Sequence, residues 1–239
     1  MQSPLKLKLL EAACQPYRAA GSFHYHWARG KLGHDPVFTS LLEQGTLNRG
    51  VRVLDLGCGR GLLASWFLAA DQLAASGLWP TGFEVPRDIQ FHGVDLDASA
   101  CAVGNRALQP HYGDRVSLAS GDMCRADLRG YDVITLLDVL HYIPFAKQDL
   151  LLDQIRAALG FSGMLVARVG NAQGGWRFRF SQCVDIAVAY AQGNRIRSLH
   201  CRPLSDWTHI LEARGFTVTA QLMSDGTPFA NALLVARVP

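Results

Sequence analysis

Residues 51–61 read VRVLDLGCGRG. An apolar run ends on an acid, and glycines then occupy positions 57, 59 and 61. A strand buried on both faces gives such a near-continuous apolar run. Glycines directly behind it allow positive φ and bring the backbone close to a ligand with no Cβ between them. The helix that follows offers unpaired N–H groups at its start. The stretch therefore predicts a strand–turn–helix unit of an open parallel sheet, with a ligand held beyond the carboxyl ends of the strands. Dinucleotide turns want G-x-G-x-x-G and an acid about 20 residues later. Here the order is G-x-G-x-G, and Leu62 stands where the third dinucleotide glycine would be. The next strand-end acid, Asp95, lies 95 − 61 = 34 residues past Gly61. The spacing turns the reading away from a nicotinamide enzyme, although an insertion would stretch the same interval.

The rest of the chain repeats the alternation. Strand-like runs occupy 51–57, 89–97, 115–123, 131–140 and 163–170, with helical patterns over 61–75, 98–108 and 146–159 between them. Strands alternating with helices predict an α/β fold, a Rossmann-like doubly wound sheet. Residues 203–215 read as a helix opened by a Ser or Asp cap. The runs FTVTAQLMS and ANALLVARV follow it with only a short turn between them. That gap is too short for a crossover, so the last strand is expected antiparallel. Residues 71–88 read as an irregular surface insertion. The expected organisation is a single domain over 1–239: a helical N-terminal extension or lid (1–50), a cofactor-binding core (51–170), an acceptor-side insertion (171–203), and a closing helix with an antiparallel strand pair (204–239).

Composition sets outer limits. Hydrophobic residues make up 49 %, enough for a sizeable core, and the net charge of +3 is too small to argue for nucleic acid or a membrane surface. Six cysteines, at 14, 58, 101, 124, 183 and 201, form no C-x-x-C pair and no zinc spacing. They read as reduced thiols of a cytoplasmic protein. No run approaches the ~18 apolar residues of a membrane span.

In its motifs the chain resembles the class I S-adenosylmethionine-dependent methyltransferases. VLDLGCGRG is similar to their first motif, HGVDLD to the second, SGDM to the third and YDVITLLDVLHYI to the fourth. The resemblance implies S-adenosylmethionine as cofactor, leaving as S-adenosylhomocysteine. It implies that Gly57, Gly59 and Gly61 make room for the methionine part, and that Asp55 orients the turn and helps hold the ammonium. Asp95, beside Leu96, would accept from both ribose hydroxyls. Asp122 would accept from the adenine amino group, with Met123 packed on the ring. Leu137 or Asp138 would meet the ammonium. The bland alternatives are a turn-capping Asp55, an ordinary turn acid at 122, a helix-capping Asp97 and a Cys58 that only fills space.

Three stretches are candidates to face the acceptor. Residues 21–38 carry histidines and aromatics, and Arg29 could pair with the methionine carboxylate because guanidinium matches carboxylate geometry. His24 and His26 read more readily as packed or exposed histidines. In the second stretch, 138–144, His141 is a candidate base and Tyr142 a pocket wall. The third, 170–183, alternates Trp176, Phe178 and Phe180 with Arg177 and Arg179, which suits an aromatic or anionic acceptor. It would also suit stacking on single-stranded nucleic acid. An Asn/Asp-Pro-Pro-Tyr motif, a Pro-Cys nucleophile and a paired-glutamate loop are all missing after the fourth strand. Asp138 and Asn171 match a magnesium-dependent pattern only in part, so no metal is expected. The expected enzyme methylates a small molecule, aromatic or phenolic, free or carrier-bound, with no membrane partner. Residues 25–38 are faintly similar to methyltransferases found beside bacterial aryl-polyene pigment genes. Modification of RNA and a non-catalytic cofactor-binding role are the alternatives.

Overall fold

A computed structural model of the chain describes residues 3–47, 50–79, 86–172, 199–223 and 230–239. They fall into two compact units, Met1–Asp127 and Leu128–Pro239. Seven strands form a sheet of order β3-β2-β1-β4-β5-β7-β6.

The first unit holds α1 (Ser3–Cys14), a 3₁₀ stretch (Gln15–Ala20), α2 (Ser22–His34), α3 (Pro36–Glu43), β1 (Arg52–Leu56), α4 (Leu62–Ala75), β2 (Gln90–Asp95), α5 (Ala98–Tyr112) and β3 (Val116–Ser120). β1, β2 and β3 are parallel, with Asp55 opposite Gly93 and Asp95 opposite Ser120. That register brings Gly57, Asp95 and Gly121 to one edge, where the ladder continues as Gly57 N–H to Val94 C=O (2.7 Å) and Gly121 N–H to Asp95 C=O (2.9 Å).

The helical extension has a physical cause in α4. Its sequence LLASWFLAADQLAA is apolar around most of its circumference, and residues 62–70 are all buried. A helix apolar all round must be covered on every side. α1 supplies cover, with Ser65 Oγ donating to Ala13 C=O at 2.6 Å. α3 supplies more, with the Phe38 and Trp66 rings 6.4 Å apart. The N-terminal helices thus complete the core of this unit as well as extending it.

The second unit holds β4 (Val133–Leu137), α6 (Phe145–Ala158), β5 (Met164–Gly170), α7 (Leu204–Glu212), β6 (Thr217–Leu222) and β7 (Asn231–Arg237). β4 and β5 are parallel, while β7 runs antiparallel to β5 and to β6. The expected mostly parallel sheet with an antiparallel last strand is what forms. No disulfide joins the five described cysteines to one another, and among the described residues no helix is long and apolar enough to cross a membrane.

Three local expectations are corrected. α7 carries no Ser or Asp cap: Pro203 takes the N-cap position, and Ser205 Oγ faces Asp206 Oδ1 at 3.3 Å. α5 runs four residues beyond Leu108, through Pro110, and stops at Gly113 with φ 58°. The first five residues of the 71–88 stretch belong to α4.

Candidate active site

In the first unit the site is built on the turn after β1. Gly57, Gly59 and Gly61 all take positive φ, at 81°, 53° and 75°. Their roles differ. A Cβ on Gly59 would meet nothing within 4 Å, so this is the open face that a ligand can approach. A Cβ on Gly61 would lie 2.9 Å from both Leu108 and Leu118. Gly61 therefore serves packing, and it caps α4 in the left-handed region.

Asp95 fastens this turn from the neighbouring strand. Its Oδ2 accepts from Gly59 N–H and its Oδ1 from Asp97 N–H, both at 2.8 Å. A carboxylate has about four acceptor positions, so two remain for a diol. Leu96, beside it, is 77 % exposed. Asp97 accepts from Ala100 N–H at 3.0 Å, the cap its bland reading expected. Asp122 caps the 3₁₀ turn Met123–Arg125 through Oδ1, from Cys124 N–H at 2.9 Å. Met123 is half-buried there. Asp55 is buried within β1. Cys58 is buried too, and burial followed by Asp55 pushes its thiol pKa up. A nucleophilic thiol needs the opposite shift.

Two glycines that sequence reasoning passed over let the layers close. A Cβ on Gly93 would sit 2.6 Å from Cys58 Sγ, and one on Gly104 would sit 2.7 Å from Arg60 C=O. The available signal was Gly104 inside a helical pattern, which marks close backbone approach.

Arg29 is engaged by Glu11, with Nη1 to Oε2 at 2.7 Å. Tyr25 OH lies 3.2 Å from both oxygens of the same carboxylate. This half-exposed network ties α2 to α1. A different guanidinium, missed from sequence, lies within the glycine turn. Arg60 stacks over Trp27, 4.2 Å from the ring centroid, and its C=O accepts from the buried Tyr17 OH at 2.8 Å. His24 is half-buried and His26 exposed on the same helix.

In the second unit the chain leaves β4 through Asp138, whose φ is 60°. Asp tolerates this region better than most residues. Asp138 N–H donates to Arg168 C=O at 3.1 Å, and Arg168 Nε donates to Asp138 Oδ1 at 2.8 Å. Arg168 Nη2 closes a bidentate pair on Oδ2. The Arg168 side chain is 7 % exposed against 34 % for Asp138. The signal in the sequence was one arginine inside the apolar run MLVARVG. Leu137, the last residue of β4, pairs with Arg168 across the ladder.

His141 lies in the 3₁₀ turn Leu140–Tyr142 and is buried, while Tyr142 is 39 % exposed. Their ring centroids are 4.1 Å apart. Burial pushes the His141 pKa down, and Asp138 opposes it. A network sequence reasoning did not find holds this turn. Gln148 Nε2 shares its two hydrogens among the carbonyls of Leu140 (2.9 Å), Ile143 (3.1 Å) and His200 (2.8 Å). Arg202 donates to Gln148 Oε1 at 3.1 Å and to Asp149 Oδ2 at 2.9 Å. The third acceptor stretch lies outside the described residues beyond Ala172. Among the described residues no His, Cys, Asp and Glu cluster could hold a metal.

Comparison with known proteins gives the family and the fold. A family model described as a methyltransferase domain matches residues 26–221. No curated protein matches in sequence. Three solved structures share the fold. Magnesium protoporphyrin IX methyltransferase from Synechocystis with bound S-adenosylhomocysteine is 18 % identical, over 93 % of this chain and 92 % of that one, with a TM-score of 0.58. The Burkholderia thailandensis 1,6-didemethyltoxoflavin-N1-methyltransferase, with its acceptor and S-adenosylhomocysteine bound, is 18 % identical over 85 % and 76 %, with a TM-score of 0.60. The [4+2]-cyclase SpnF is 18 % identical over 86 % and 80 %, with a TM-score of 0.60. With the family model spanning both units, and the glycine turn and strand-end acids in place beneath it, the chain belongs to the methyltransferase domain family.

Proposed function

We propose that this enzyme methylates a small planar acceptor, aromatic or phenolic, free or carrier-bound, as one methyltransferase domain over residues 1–239. The observation that carries the cofactor reading is Asp95. One carboxylate holds the open Gly59 turn and still keeps acceptor positions for a ribose.

S-adenosylmethionine supplies a methyl group already activated on a sulfonium, transferred by in-line displacement. The chain's own task is chiefly alignment. Asp95 takes the ribose hydroxyls, Asp122 the adenine amino group with Met123 against the ring, and Leu96 lies beside them. Asp55 sets the turn and helps hold the ammonium, which Leu137 or Asp138 meets. Arg29 remains the candidate for the carboxylate only if it exchanges Glu11 for the ligand. A base is needed when the acceptor carries a proton that must leave. His141 suits this, since burial keeps its imidazole neutral near pH 7, and Tyr142 offers an aromatic wall. Two relatives of this fold act on planar ring systems, as their names state, which supports a planar acceptor here.

Thermal unfolding with and without S-adenosylhomocysteine tests the reading, with NAD and NADP as controls. A ligand that binds only the folded state adds about 2.7 kcal/mol at 100 times its dissociation constant. The expected shift occurs with S-adenosylhomocysteine alone and is largely lost in Asp95→Ala. A shift with NAD instead overturns it.

A further inference from the structure

Arg60 projects from the glycine turn onto the face of α2. Its guanidinium carbon is 4.2 Å from the Trp27 ring centroid and 5.7 Å from that of Phe23. Phe23 is 69 % exposed, so the outer side of this stack is open. Two nitrogens in the cluster, Arg60 Nη1 and His24 Nδ1, are enclosed with no hydrogen-bond partner among the described residues. Partial burial, then Arg60, then Arg106 push the His24 pKa down. Among the described residues no carboxylate pairs with Arg60 or His24, in contrast to Arg29, Arg18 and Arg115.

Enclosing a cation's donor without an acceptor is costly. The same arrangement becomes favourable when a singly charged, two-oxygen group enters. Nη1 then donates to one oxygen and Nδ1, in the tautomer that carries its proton there, to the other. The aromatic walls add a requirement that a flexible aliphatic chain does not meet. Trp27 and Phe23 offer faces and edges that suit a flat ring.

We propose that Phe23, His24, Trp27 and Arg60 form an acceptor-recognition site that takes the carboxylate of a planar aromatic acid. This rests on the methyltransferase reading above and narrows its acceptor class.

The test is isothermal titration of the full chain, saturated with S-adenosylhomocysteine, using 4-hydroxybenzoate and its neutral isostere 4-hydroxybenzamide. The acid is expected to bind at least about tenfold more tightly than the amide, roughly 1.4 kcal/mol. Trp27→Leu is expected to weaken the acid about tenfold while S-adenosylhomocysteine affinity changes by less than about threefold, and Arg60→Gln to weaken the acid about tenfold more than it weakens S-adenosylhomocysteine. Trp27 lies outside the glycine turn, so its variant reads the site even if Arg60→Gln disturbs folding. Equal affinity for acid and amide overturns the proposal. So does an Arg60→Gln variant that loses S-adenosylhomocysteine in step with the acid, because the guanidinium would then serve the cofactor's own carboxylate. If the wild-type chain does not bind S-adenosylhomocysteine, the methyltransferase reading fails separately. The acid-against-amide comparison without it still decides whether the cluster selects a carboxylate.

Discussion

Gly104→Ala places a methyl group where α5 touches the glycine turn. In an ordinary helix the change gains about 1 kcal/mol from propensity. Here the new Cβ would lie 2.3 Å from Leu118 Cδ1, 2.7 Å from Arg60 O and 2.9 Å from Arg60 C. The leucine methyl can rotate away, but the Arg60 peptide is held by the hydrogen bond from buried Tyr17 OH. Overpacking of this kind costs about 1–3 kcal/mol. The net is a loss of about 1 kcal/mol, or a fall of about 2–4 °C in Tm for a chain of this size. The displaced turn should also reduce the extra stability that S-adenosylhomocysteine confers. Gly30→Ala is the matched control. Gly30 is exposed in α2, a Cβ there would meet nothing within 4 Å, and its φ is not positive. It should raise stability by about 0.5–1 kcal/mol. Differential scanning calorimetry of both variants, with and without S-adenosylhomocysteine, reads the signs directly. A Gly104→Ala protein as stable as wild type would refute the close-approach argument.

Arg168→Leu removes one partner of a buried pair and leaves Asp138 at positive φ with no bidentate partner. Complete burial would make this a loss of about 3–5 kcal/mol, and the one-third exposure of Asp138 reduces it to about 1–3 kcal/mol, measurable by urea unfolding. Tyr17→Phe deletes the donor to Arg60 C=O in a fully buried site and should cost about 1–3 kcal/mol; an unchanged urea midpoint would show that the carbonyl finds another donor. Stability should also depend on pH through the histidines. The folded pKa values of His24, His92 and His141 lie below 6.5. Above pH 6.5 neither folded nor unfolded imidazole is charged and nothing is lost. As pH falls below 6.5 the unfolded chain takes up protons that the fold resists, so stability drops, by up to about 1.4 kcal/mol per pH unit for a fully excluded imidazole. Unfolding midpoints between about pH 7.5 and about pH 5 should fall with acidity, and His141→Gln should flatten the slope.

What the sequence determined by itself was the part written in local periods and in neighbouring residues. Continuous apolar runs at 51–57, 131–140 and 163–170 require strands covered on both faces. The short gap after 222 requires an antiparallel close. GCGRG requires positive φ at three places, and the strand-end acids follow from the same alternation. Only the tertiary structure decided which groups meet across long sequence separations. Arg60 onto Trp27, Asp95 onto Gly59, Arg168 onto Asp138 and Arg202 onto Gln148 join residues 30 or more positions apart. No local propensity encodes those meetings, because they depend on how layers stack and on which small residues let them approach. Gly104 and Gly93 look like weak points in a helix and a strand when read along the chain, and their value exists only against Arg60 and Cys58. Arg29, the most plausible carboxylate partner by residue type, was taken by Glu11 on the adjoining helix. Residue type states what a side chain can bind, and packing then decides which partner it finds.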